Sequence, residues 1–147
     1  MIGRKVLGLR IGLAALLLVA ATLTTAVAAP AAAASSSAWF SSPSKNIGCY
    51  MDASSVRCDV LKYTYKATKR PAWCPLAWGP AVEVDTKGKG HFECVGDTVA
   101  GSKTILKYGH SRSIGRFTCT SRTTGMTCID RWNGHGFRVS KASYRFF

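Results

Sequence analysis

The chain has no C-x-x-C pair and no His-x-x-x-His pair. Its three histidines, His91, His110 and His135, lie far apart. These absences exclude the spacings on which structural zinc sites and redox-active dithiols are built. No stretch beyond the first forty residues repeats apolar positions at helical spacing for a useful length, which excludes a helical domain. No nucleophile, base and orienting group stand at an identifying spacing, and no motif with a mechanism occurs. The expectation is a domain that is not an enzyme and takes no metal and no cofactor. Acidic residues are scarce as well. Only 7 Asp and Glu stand against 20 Lys and Arg, a net charge of +13.

The first residues carry an address. Arg4, Lys5 and Arg10 precede an uncharged apolar run over residues 11–21, and Ala26-Val27-Ala28 then supplies small residues for a signal peptidase. Ala32-Ala33-Ala34 offers a second cleavage site. Residues 1–34 therefore read as a secretory signal peptide and residues 35–147 as a single secreted domain. The uncharged stretch is long enough to span a bilayer. Its Ala- and Thr-rich second half, Pro30 and the serines after it favour cleavage. No cysteine lies near the cleavage sites to take a lipid. Loss of the three basic residues of this segment leaves a net charge of about +10.

Six cysteines after a signal peptide imply a disulfide framework in a secreted protein. Fifteen pairings are open to them. Hairpin geometry narrows the choice, because Cys49 to Cys58 and Cys119 to Cys128 each enclose eight residues. If Cys49 faces Cys58, then Tyr50 faces Arg57 and Met51 faces Val56, with a four-residue tip at 52–55. If Cys119 faces Cys128, then Thr120 faces Thr127 and Ser121 faces Met126, with a tip at 122–125. Directly opposed strand residues have close side chains, which suits a cross-strand bridge. Cys74 and Cys94 pair by elimination.

The rest reads as short strands. Val56, Cys58 and Val60 alternate with Arg57 and Asp59, the period of a half-buried strand. Residues 61–66 continue in β-prone types. Residues 81–85 and 91–95 flank a Gly-rich turn and form a third hairpin. Residues 104–108, 137–140 and 144–147 are further strands, while His110 and Ser111 read as loop. Residues 69–80 hold three prolines and two tryptophans and read as a long loop pinned by Cys74. The fold class is all-β, a small disulfide-stapled sandwich or barrel built from hairpins. Ile47, Cys49, Val56 and Cys58 match Phe117, Cys119, Met126 and Cys128 in position and apolarity. Internal duplication and convergent hairpins both account for that match.

The runs Ser42-Pro43-Ser44-Lys45-Asn46-Ile47-Gly48-Cys49, Val56-Arg57-Cys58-Asp59, Cys94-Val95-Gly96-Asp97-Thr98, Leu106-Lys107-Tyr108-Gly109 and Gly134-His135-Gly136-Phe137 occur in this order. In these the chain resembles a family of small secreted actinobacterial domains of unknown function. The resemblance covers nearly all of the mature chain. It implies an exported single domain with paired cysteines, and it implies no activity and no site residue.

The basic excess is the main pointer to function. Lys62, Lys66, Lys69 and Arg70 cluster on one segment among Tyr63, Tyr65 and Trp73, and these four are the candidate anion-binding residues. Arg112, Arg116, Arg122, Arg131, Arg138, Lys141 and Arg145 fill the C-terminal part. An exported basic protein meets anionic cell-envelope polymers and nucleic acid, with which net charge favours association. A solvated face that only maintains solubility is the plainer reading of the same charge. Trp73, Trp78, Trp132 and Tyr50 are candidates for a stacking platform. Tryptophans of a small domain are expected in the core, with Trp73 and Trp78 the exceptions. Two alternatives are a basic hydrolase or nuclease using His135 with Arg138 and Asp130, and an inhibitor-like module presenting the loop at 70–80.

Overall fold

Among the described residues the chain forms ten short strands, several of them, such as β7 and β8, built on period-two alternation of apolar and polar residues. They are β1 (Ala38–Ser41), β2 (Ile47–Met51), β3 (Ser55–Val60), β4 (Ala81–Asp85), β5 (His91–Phe92), β6 (Ser111–Ile114), β7 (Phe117–Arg122), β8 (Gly125–Asp130), β9 (Gly136–Val139) and β10 (Tyr144–Phe146). The structure is a computed structural model that describes residue 3 and residues 36–147. The segment read as a signal peptide lies almost wholly outside the described residues. The chain divides into two units, Met1–Ala32 and Ala33–Phe147, and the strands belong to the second. Among the described residues no helix is long and apolar enough to cross a membrane.

Strands β1 to β5 form one antiparallel sheet in chain order, and β6 to β10 form another. Their inner faces meet in a sandwich. Phe40, Met51, Val56, Val82, Val84, Phe117, Met126, Phe137 and Val139 fill the space between them with no exposed surface. Burying such side chains stabilises the fold by about 1.5–3 kcal/mol each. Two disulfides, Cys49–Cys58 and Cys119–Cys128, lie in the same layer, one from each sheet. The sulfur of Cys58 rests 3.8 Å from that of Cys128, so the bridges pack on each other at the centre. Cys74–Cys94 pins the loop ahead of β4.

Both cysteine hairpins have the register their spacing implies. The second is tighter than expected. Arg122 pairs with Gly125, leaving Thr123-Thr124 as the tip. Gly125 has φ +131°, and a Cβ there would meet the Val139 carbonyl oxygen.

Three sequence expectations are corrected. Residues 61–66 form no strand. The ladders that flank β3 end at Ile47 opposite Val60 and at Ala81 opposite Asp59, so β-prone residues beyond them find no partner strand; the Thr64 N–H donates to the Lys141 carbonyl at 2.8 Å instead. Residues 104–108 contribute one parallel bridge, Ile105 to Ser41, which covers part of the edge of β1. Ser111 opens strand β6 instead of lying in a loop. The hydroxyls of Ser111 and Ser113 bond those of Thr120 and Thr118 at 2.7 Å each.

Duplication gains support from detail outside the cysteines. Leu61 N–H donates to the Asn46 carbonyl at 2.9 Å, and seventy positions on Arg131 N–H donates to the Arg116 carbonyl at 2.9 Å. Lys45 has φ 58° and its counterpart Gly115 has φ 53°. The halves differ where Val60 and Met51 of the first are replaced by Asp130 and Ser121 in the second, both fully buried.

Candidate anion-binding cleft

One end of the sandwich gathers the β1–β2 turn, the exit of β3, the β7–β8 turn and the β9–β10 loop. These segments line a cleft of about 480 Å³, and Lys45, Lys62, Arg122 and Lys141 each come from a different one of them. Polar neighbours such as Ser42, Ser44, Asn46, Thr123 and Ser140 share the lining, which includes no carboxylate. Among the described residues the ion pairs are Arg57 with Asp59 and Asp97, His91 with Glu93, and Arg116 with Asp130. None involves a cation of the cleft. Like charges brought together without a counter-charge repel, and an incoming anion relieves that repulsion.

The local chemistry fixes where these cations start. The Asn46 side-chain amide donates to the Lys62 carbonyl at 2.9 Å, and the Lys62 N–H donates to Asn46 Oδ1 at 2.9 Å. With the Leu61 bond to the Asn46 carbonyl, this ties the β3 exit to the β1–β2 turn. Lys45 closes that turn with an N–H bond to the Ser42 carbonyl at 2.8 Å. Its left-handed backbone is unfavourable for a residue with a Cβ.

Of the four residues singled out by sequence, only Lys62 lines the cleft. Lys66, Lys69 and Arg70 are exposed on the loop between β3 and β4. The sequence counts Arg122 and Lys141 only among the C-terminal basic residues. For Lys45 the one available signal is the turn composition of Pro43-Ser44 before it.

The opposite end holds a different cluster. Asp130 points inward from β8 with no exposed surface. Arg116 Nε donates to its Oδ1 at 2.7 Å, and Arg116 Nη2 lies 2.5 Å from Oδ2. The Arg116 bond holds the Asp130 carboxyl below the usual carboxylate range, outweighing burial, with help from the Trp132 and Asn133 amides. The Arg116 guanidinium stacks on Trp132 at 4.5 Å. Trp132 is 77% exposed and Trp39 50%, against the expectation of core tryptophans. Trp73 is also exposed, whereas Trp78 packs on the core. Asp130 and His135 are neighbours, the Asp130 N–H donating to the His135 carbonyl at 2.8 Å. Asp130 is taken up by Arg116, and the Arg138 guanidinium bonds the Thr124 carbonyl at the cleft end.

The profile of a family of unknown function, DUF6636, matches residues 19–147. No curated protein and no solved structure matches the chain.

Proposed function

This chain belongs to the family of unknown function DUF6636, and we propose that it is a non-catalytic binding domain for an anionic polymer outside the cell. The polymer's charged groups are held at Lys45, Lys62, Arg122 and Lys141. The observation that carries this reading is the convergence on one cleft without a carboxylate of four cations, from four separate segments, that make no ion pair among the described residues. Three disulfides fit an oxidising extracellular compartment, where anionic envelope polymers are met. Attraction between cleft and polymer releases counterions, so affinity depends on salt through the number of charges neutralised.

The test is calorimetric titration of the oxidised domain with long-chain inorganic polyphosphate across a salt series. Four contacts predict a slope of log affinity on log salt of about −3. The double variant Lys62→Glu, Lys141→Glu is expected to bind at least about tenfold more weakly, with a shallower slope. The triple variant Lys66→Glu, Lys69→Glu, Arg70→Glu is expected to stay within about threefold, since its charges stand outside the cleft. Equal losses in both variants would sink the cleft and leave only diffuse charge.

Lys45 permits a sharper experiment. Replacing it with the glycine found at the equivalent Gly115 relieves the left-handed backbone. Lys45→Gly is expected to leave stability unchanged or raise it by up to about 1 kcal/mol, while weakening polyphosphate binding several-fold. Urea unfolding and the same titration read the two effects separately. A variant that binds as tightly as the parent would remove Lys45 from the site.

A further inference from the structure

The end of the sandwich opposite the cleft carries an apolar ring that packing does not explain. Trp132 leaves 77% of its surface in solvent, so it contributes little to the core. Yet a fully buried charge is arranged to hold it. The Trp132 N–H donates to Asp130 Oδ1 at 3.0 Å, and the same carboxylate grips the Arg116 guanidinium that lies on the indole. In the first half of the molecule the position of Asp130 is filled by Val60 and that of Arg116 by Asn46, so the fold itself does not need this pair. Arg131, next in the chain, is anchored by a 2.6 Å bond from Nη2 to the Gly115 carbonyl and has no ion pair among the described residues. The guanidinium lies over one face of the indole, 4.5 Å from its centroid, and with 77% of the residue in solvent the other face is left open.

We propose that Trp132 and Arg131 form a second binding site that stacks a nucleobase of a single-stranded nucleic acid on the free indole face and pairs the adjoining phosphate with Arg131. A planar π-face stacks on an indole whatever its sequence, and the flanking phosphates need a cation close by. A sugar ring would instead need polar acceptors around the indole for its hydroxyls. Here the Asp130 carboxylate is buried and bonded to Arg116, and Asn133 Oδ1 already accepts one bond from the His135 N–H at 2.9 Å, so no carboxylate is open to a sugar beside the indole. The site is separate from the cleft of the proposed function and does not depend on it.

The experiment titrates the full oxidised domain with three probes: a single-stranded homothymidine oligonucleotide, an abasic oligonucleotide of the same length, and inorganic polyphosphate. The base-bearing strand is expected to bind about tenfold more tightly than the abasic strand. Trp132→Ala is expected to erase that difference and leave polyphosphate affinity unchanged, while Trp132→Phe, which keeps a ring, retains most of it. Its exposure lets the alanine variant keep the fold. Equal binding of the base-bearing and abasic strands by the parent would overturn the proposal, and so would an undiminished preference in Trp132→Ala. Failure of polyphosphate to bind would sink the cleft alone, because the preference for bases is read between two strands of equal charge.

Discussion

Full reduction of the three disulfides is expected to unfold the domain, and Cys74–Cys94 is expected to open first. The bridges close loops of sequence separation 9, 20 and 9 that do not overlap, so their effects on the unfolded chain add to a first approximation. Loop-closure entropy assigns about 2.5 kcal/mol to each hairpin bridge and about 3 kcal/mol to Cys74–Cys94, together about 8 kcal/mol. A domain of this size has about 5–15 kcal/mol in all. The order of opening follows from access. Cys49, Cys58, Cys119 and Cys128 show no exposed surface and lie in the central layer, whereas Cys94 is partly exposed on the loop side. A thiolate must reach a disulfide sulfur to attack it, so the central bridges are reduced only when the sheets separate. Graded reductant, alkylation and mass mapping should label Cys74 and Cys94 while far-ultraviolet circular dichroism is still native. The other four should then label together as the signal collapses. Early labelling of a hairpin cysteine, or a reduced chain that stays folded, would contradict this account.

The hairpins were legible because three independent requirements coincide on the same residues. Cysteine spacing, apolar alternation and turn length all select the register Cys49–Cys58 and Cys119–Cys128. Where only one requirement acts, sequence misleads. Residues 61–66 have β-prone side chains, but a strand needs neighbours along its length, and β2 and β4 reach no further than Val60 and Asp59 of β3. Strand β6 is written in Ser and Arg without apolar alternation; it pairs because β7 offers an edge and matching hydroxyls. The cleft is legible only at Lys62. Its other cations come from turns remote in sequence, and no local pattern records which loops meet at one end of a sandwich. Trp132 was expected in the core because its size usually decides its place. The overlooked signal is Asp130, two residues after Cys128 and so on the inward face of β8. A carboxylate there requires a cation, and that cation, Arg116, holds the indole outside.

Arg116→Met is expected to destabilise the domain by about 3–5 kcal/mol, because it leaves the Asp130 carboxylate buried without its counter-charge. The loss comes from the stranded charge and not from any large intrinsic worth of the pair. Adding Asp130→Val, which copies the apolar Val60 of the first half, should therefore restore most of the stability. Urea midpoints of the parent, the single and the double variant measure this directly. A single variant that loses less than about 1 kcal/mol would mean that water reaches Asp130 after all. Acid separates the parent from the double variant further. Since the folded-state pKa of Asp130 is lowered, its contribution is fully present above the unfolded carboxylate value, about 4, and is lost as pH falls through the folded value. The double variant lacks that term, so its stability relative to the parent should improve below about pH 4. Asp52, also lowered because bonds from Ser54 and Ser55 outweigh its desolvation, persists in both proteins and cancels from the comparison. The double variant also loses the guanidinium behind Trp132 and the carboxylate that fixes its amide. If the buried pair exists to present the indole, this protein should be stable and still lose its preference for base-bearing strands, a combination that a purely structural pair would not produce.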